Sequence, residues 1–280
     1  MQSESAARML TRQKVILVTG ASSGVGQAIA RLLIRHGHQV FGTSRNGVDR
    51  AANGIELLPL DVRSDESVAA CLERVSRSAG RLDVLINNAG YEQAGALEEL
   101  SIEEAKAQFE TNFFGVVRMV DAFLPMMRRQ HCGRIINVGS LAGLAPIPFL
   151  GIYSASKFAL TGYTEALRLE LRPIGIQVSE IAPGFLRTPM MNHRRQAATT
   201  IGDYDPWRRR AYDAVREHEE NGPGPDLAAR TVLKIILSER PRLRYLVGSQ
   251  SRIITGLRRF LPHSAFERGL RTTFRLESVE

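Results

Sequence analysis

The chain has 280 residues, 44% hydrophobic and 24% charged, with a formal net charge of +8. This composition can bury a real core, and two cysteines, Cys71 and Cys132, without metal-ligand spacing exclude a disulfide scaffold and give no sign of a metal site. The opening MQSESAARMLTRQK has no apolar leader and no later stretch is long enough to span a bilayer, so a soluble protein of a reducing, cytoplasmic compartment is expected.

Lys14–Thr19 (KVILVT) reads as a compact apolar strand that runs into the glycine turn Gly20–Gly26 (GASSGVG) and then an amphipathic helix, Gln27–His36. In that setting Gly20 permits a tight turn and Gly24 lets backbone approach a pyrophosphate. Gly26 lets the helix pack closely on the strand with its N-terminus facing the anion. Gln39–Thr43 is the second strand, followed by Ser44, Arg45 and Asn46. A dinucleotide site reads the adenosine ribose at this point; no acid is present to hold a 2′-hydroxyl, and Arg45 suits a 2′-phosphate, so NADP(H) is expected.

Ile55–Leu60 is a third strand ending at Asp61 and Val62, and Ser64 caps a helix over Asp65–Ser78 with acids in its first turn. Leu82–Ile86, the fourth strand, runs into Asn87–Gly90 (NNAG), small and amide residues suited to a flat ligand. Ser101 and Glu104 form a capping box at the start of a long helix reaching about Arg129. Asn112, inside that helix, reads by itself as a hydrogen-bonded core amide. Arg134–Val138 is a buried strand. Beyond it an uncharged loop carries Leu141, Leu144, Ile147, Phe149 and Leu150 into a helix that ends near Arg172.

That helix bears Tyr153 and Lys157, four residues apart and so on one face. A phenol titrates near 10 and is a poor acid or base at neutral pH unless an ammonium beside it favours the phenolate. Ser140, at the end of the preceding strand, is placed to hydrogen-bond the same oxygen. The trio suits proton transfer at a carbonyl or alcohol oxygen.

Gln177–Ala182 is the sixth strand and ends at Pro183–Gly184. Phe185–Gly222 reads as a mobile lid of long loop and short helices, opened by the apolar Phe185, Leu186, Met190 and Met191. Pro225–Ser238 is a helix and Arg244–Val247 a last strand. Ser251–Leu276 forms a basic amphipathic tail with Phe260, Leu261, Phe266, Leu270 and Phe274 as apolar members. The alternation predicts an α/β fold: one Rossmann-type domain over residues 1–280 with its core at 14–248. Its doubly wound parallel sheet has seven strands, with a helical lid over 185–222 and a C-terminal helical extension over 250–276. Every candidate residue falls near the C-terminal edge of the sheet, where ligands of such sheets bind.

With TGASSGVG, NNAG, Asn112, Ser140, YSASK and IAPG in order, the chain resembles the short-chain dehydrogenase/reductase family from about Lys14 to Gly248. TGASSGVG, TSRN and YSASKFALTGYTEALRLEL look most like its 17β-hydroxysteroid and retinol dehydrogenase branch. The resemblance implies that Tyr153 is the general acid in reduction and base in oxidation, and that Ser140 polarises the substrate oxygen. Lys157 would lower the Tyr153 pKa and bind the nicotinamide ribose, and Asn112 would hold a relay water. It implies cofactor contacts from Gly20, Ser22, Ser23, Gly24, Val25 and Gly26, from Ser44 and Arg45, and from Asp61 and Val62 at the adenine. Further contacts fall to Asn87, Ala89 and Gly90, to Tyr153 and Lys157, and to Pro183, Gly184 and Thr188 at the nicotinamide. Gly139 departs from the family, which often has a serine there, and Ser23 stands where many NADP-preferring members have a basic residue.

The function expected is an NADP(H)-dependent oxidoreductase, a homodimer or other homo-oligomer, interconverting a carbonyl and an alcohol on a steroid-, retinoid- or lipid-like substrate. The apolar loop and the lid supply the reason for that substrate class. A dehydrogenase of a small polar substrate and a non-enzymatic dinucleotide-binding regulator are the alternatives, and the second has no need of a matched proton donor. The basic stretches Trp207–Arg210, Glu239–Tyr245 and Leu257–Phe260 come without a nucleic-acid motif. They imply no nucleic-acid partner and at most peripheral contact of the tail with anionic membranes.

Overall fold

Strand β1 (Val15–Val18) is buried at every position, and α1 (Gly24–Arg35) follows it directly. The structure, a computed structural model, describes residues 13–47, 55–190 and 194–277. In chain order come β2 (Gln39–Ser44), β3 (Glu56–Pro59), α2 (Asp65–Ala79), β4 (Val84–Asn87) and the two-residue β5 (Gln93–Ala94). Next are α3 (Ile102–Phe109), a π turn at Glu110–Phe114, α4 (Gly115–Arg129), β6 (Gly133–Val138), α5 (Gly151–Leu171) and β7 (Ile176–Pro183). The two-residue β8 (Arg195–Gln196), α6 (Asp205–Glu220), α7 (Asp226–Leu237), β9 (Arg244–Val247), α8 (Ser249–Phe260) and α9 (His263–Thr273) complete the order.

The seven-stranded sheet has the order β3-β2-β1-β4-β6-β7-β9, and every pairing is parallel. Helices cover both faces, which is why β1 is apolar throughout and β4 is apolar up to Asn87 at its C-terminal end, with no alternation. Val68, Cys71 and Val75 of α2, Met119 and Phe123 of α4 and Leu167 of α5 pack on one face. Ile29 and Leu33 of α1 and Val232 and Ile235 of α7 pack on the other. The winding direction reverses between β1 and β4, and the crevice at that switch point opens at the C-terminal edge.

The predicted caps form. Ser64 accepts from the Ser67 amide at 3.1 Å, and Ser101 and Glu104 exchange reciprocal bonds at the start of α3. The long helix expected up to Arg129 is interrupted by the π turn, whose extra residue sets Asn112 against the chain after β4. The lid differs more. In place of long loop and short helices it holds α6, of 16 residues, with Ala211, Ala214 and Val215 on its buried face. Its loop is pinned as well. β8 pairs with β5, and buried Glu99 accepts from the Ile201 amide at 2.7 Å and from Arg208 at 2.9 Å. Met191 lies outside the described residues. The tail forms α8 and α9, but its apolar members divide: Phe274 is buried in the cluster around Tyr153 and Phe185, while Phe260 is 81% exposed. No described helix is long and apolar enough to cross a membrane.

Candidate active site

After β1 the chain turns back through Gly20–Ser23 into α1, and this turn forms one end of a cavity of about 530 Å³. Ser23 takes the N-cap position with extended backbone, yet its hydroxyl makes no capping bond and the first turn of α1 carries no acid. The first amides of α1 therefore remain open donors for an anion. Gly24 lies at φ +56°, a conformation side chains disfavour. At Gly26 a Cβ would sit 2.3 Å from the Gly20 carbonyl oxygen, so the helix closes on the turn only because no side chain intervenes. Asn88 Nδ2 holds the same turn by donating to the Thr19 and Gly20 carbonyls at 2.9 and 3.0 Å. Open amides on a backbone cradle fit the pyrophosphate of a dinucleotide.

Beside this turn the cavity wall contains Gly20, Ser22, Ser23, Gly24, Val25, Ser44, Arg45, Asp61, Val62, Ala89 and Gly90. Asp61, the nearest carboxylate to Arg45 there, is gripped by Arg63, with Nε to Oδ1 at 2.9 Å and Nη2 to Oδ2 at 2.6 Å. That bond holds the Asp61 carboxyl below its usual pKa and neutralises it. Arg45 itself is exposed.

The other end of the cavity is lined by Ser140, Tyr153, Lys157, Pro183, Gly184 and Thr188. The short turn after β6 aims Ser140, whose Oγ accepts from the Ala142 amide at 3.0 Å and lies within bonding reach of the Tyr153 hydroxyl. Lys157 is buried on the same face of α5 and donates from Nζ to the Val138 carbonyl at 2.8 Å. Burial pushes Lys157 down to about 8, against the pull of Glu180 and Glu92. Burial also pushes the Tyr153 phenol up, Glu92 adds to this, and the Ser140 hydrogen bond opposes it. The lowering expected from Lys157 is outweighed, because its ammonium lies 6.0 Å from the ring centre and is spent on a carbonyl. A phenol in this setting keeps its proton at neutral pH.

Three candidate residues stand behind the wall. Gly26 packs the turn, and Asn87 is buried and donates to Asn137 Oδ1 at 2.9 Å. Asn112 is also buried. Its Oδ1 accepts from the Tyr91 amide at 3.1 Å, while Nδ2 donates to the Tyr91 carbonyl at 3.1 Å and to Ser156 Oγ at 3.3 Å. Its side chain thus fixes the Gly90–Tyr91 corner. The departure at Gly139 also has a reason: a Cβ there would lie 2.2 Å from Glu180 Oε1. That buried carboxylate is held by Thr161 at 2.8 Å and Arg244 at 2.7 Å.

Leu141, Ile147, Leu150, Phe185, Leu186 and Met190 form the apolar wall, joined by Val215 of α6. Leu144 and Phe149 do not reach it; Phe149 packs edge-on against Tyr204 and Tyr212. Two lining carboxylates, Glu92 and Glu219, were missed in the sequence, since nothing local marks them.

The sequence pattern of the family described as short chain dehydrogenase matches residues 14–199. A 3-ketodihydrosphingosine reductase of Bacteroides thetaiotaomicron is 39% identical over 92% of this chain and 97% of its own. Retinol dehydrogenase 8 of Bos taurus is 37% identical over 84% of this chain and 82% of its own. Among solved structures, a short-chain dehydrogenase from Streptomyces avermitilis superimposes with a TM-score of 0.79 at 31% identity, covering 95% of this chain and 97% of that one. The chain belongs to the short-chain dehydrogenase/reductase family of nicotinamide-dependent oxidoreductases, in the branch of the retinol and 17β-hydroxysteroid dehydrogenases.

Proposed function

We propose that the protein is an NADP(H)-dependent oxidoreductase that interconverts a ketone or aldehyde and its alcohol on a hydrophobic, lipid-like substrate. The observation that carries this reading is the single cavity that contains the glycine turn and Arg45 at one end and Ser140, Tyr153 and Lys157 at the other. A bound nicotinamide supplies the hydride. The substrate oxygen rests between Ser140 and Tyr153, and the Tyr153 hydroxyl gives it a proton in reduction or takes one in oxidation. Burial of the phenol keeps that proton in place at neutral pH, the state reduction requires. Lys157 supplies a buried ammonium within the same cavity. Arg45, with Asp61 neutralised by Arg63, favours a 2′-phosphate over a bare ribose.

The apolar wall of Leu141, Ile147, Leu150, Phe185 and Met190 supports a water-poor substrate. Two relatives agree with it in their names, one giving a ketone and the other retinol. The test follows NADPH oxidation against steroid, retinoid, fatty and small polar carbonyls under identical conditions. We expect the highest kcat/KM among the apolar compounds; a clear preference for a small polar ketone or sugar overturns the substrate assignment.

A further inference from the structure

The substrate end of the cavity contains a charge cluster that proton transfer from Tyr153 does not use. Glu92 follows β4, Arg194 lies in the lid segment, and Glu219 is in the last turn of α6. All three side chains are buried, with 10% of each carboxylate side chain and 8% of Arg194 exposed. Arg194 bridges the carboxylates. Its Nη2 lies 2.7 Å from Glu92 Oε2 and 3.0 Å from Glu219 Oε1, and its Nε donates to Glu92 Oε2 at 2.8 Å.

This arrangement is one cation short. One guanidinium serves two carboxylates, and Glu219 Oε2, fully buried, has no hydrogen-bond partner among the described residues. A buried carboxylate oxygen without a donor loses its water and gains nothing in exchange. Neighbouring cations do not fill the role. Arg195 is drawn over the Tyr91 ring at 4.4 Å, and Lys157 is engaged by the Val138 carbonyl. Both Glu92 and Glu219 line the cavity, and both act electrostatically on the Tyr153 phenol, which places them near the reacting oxygen. Leu141, Ile147, Leu150, Phe185 and Val215 make the apolar part of that wall.

We propose that Glu219, held by Arg194 and Glu92, is an ammonium-binding subsite, so that the substrate is an apolar carbonyl or alcohol bearing a protonated amine close to the reacting carbon. An ammonium brings what the cluster lacks, a positive charge, and a turn of the Glu219 carboxylate toward it gives Oε2 the donor it lacks; a hydroxyl would bring only a donor. Burial pushes the Glu219 carboxyl up to about 7. An ammonium beside it would favour the carboxylate and complete the balance of two against two.

This inference rests on the reading of the site as a carbonyl–alcohol oxidoreductase for an apolar substrate, and two measurements separate their fates. In the first, octylamine and octanol are titrated into the full-length protein, with no turnover needed. Octylamine should bind about tenfold more tightly or better, and Glu219→Gln should erase the difference. Equal affinities, or a difference that survives the substitution, overturn the subsite.

In the second, an alkyl ketone and the same ketone with a primary amine on the adjacent carbon are compared as substrates. The amino ketone should be favoured in kcat/KM. Glu219→Gln should shrink that ratio, a readout that a purely structural latch between lid and core would leave unmoved. Two ketones reduced equally well by the unsubstituted protein also overturn the subsite. If octylamine binds through Glu219 but neither ketone is reduced, the subsite stands and the oxidoreductase reading falls.

Discussion

The two ends of the cavity are built in different ways. At the nucleotide end the working groups belong to the backbone: the turn Gly20–Ser23, the open amides of α1 and the close approach at Gly26. At the substrate end they are side chains from segments far apart in the chain. Arg194 meets Glu92 across 102 positions and Glu219 across 25. A backbone cradle recognises what every dinucleotide shares, so its chemistry is general. An arrangement of side chains carried largely on a lid can change without disturbing the sheet, which is where selectivity is expected to be set.

The proposed proton-transfer residues stand at the substrate end, and the largest effect is expected on them. Tyr153→Phe removes the proton but keeps the ring, so turnover should fall by about 10²–10⁴-fold while dinucleotide affinity stays within a few-fold. Turnover near that of the unsubstituted protein would take the acid–base role from Tyr153. The same variant shows whether the two ends are separable, since only one of them should notice it.

Gly26→Ala attacks the nucleotide end alone. Its Cβ would meet the Gly20 carbonyl at 2.3 Å and Asn88 Nδ2 at 2.4 Å, so the turn or the helix must shift. A cost of about 1–3 kcal/mol in stability is expected, with weaker binding of the dinucleotide, read by thermal denaturation and cofactor titration. Unchanged stability and affinity would mean the cradle is looser than its geometry implies.

Arg45→Ala sharpens the comparison within that end. It should weaken NADPH about tenfold or more and leave NADH nearly unchanged, because a charge-assisted bond to the 2′-phosphate is the only interaction lost. An equal loss for both cofactors would show that Arg45 does not read the phosphate.

A last effect, confined to one pH window, concerns stability at the substrate end. The Glu219 carboxyl, ordinarily near 4.5, titrates at about 7 in the fold, so the folded state holds its proton longer than the unfolded chain. Stability from this group is therefore present below about 4.5 and lost as pH rises to about 7. Glu219→Gln does not titrate. Relative to the unsubstituted protein it should gain up to about 3 kcal/mol between those pH values and no more above them. An offset independent of pH, measured by chemical denaturation at both ends of the window, would show that Glu219 titrates as an ordinary carboxylate.

By itself the sequence determined the sheet, the glycine turn and the placement of Tyr153 and Lys157 on one helix face. β1 and β4 are legible because strands covered on both faces are apolar rather than alternating, with Asn87 at the end of β4 the one polar member of the two. The glycine turn is legible because one turn contains all its parts, and Tyr153 and Lys157 because one helix face does. The tertiary structure alone decided the rest. The π turn at Asn112 answers to the Tyr91 backbone, and α6 was hidden because its buried face is made of Ala211, Ala214 and Val215 amid charges. Gly139 is small because Glu180 fills its space, and Phe274 returns from the tail into the buried cluster around Tyr153 and Phe185. The Glu92–Arg194–Glu219 cluster left no mark on any stretch of sequence, since each member is an ordinary charged residue in its own segment. Only folding brings the three into a common dry volume, where an unpaired carboxylate oxygen becomes costly.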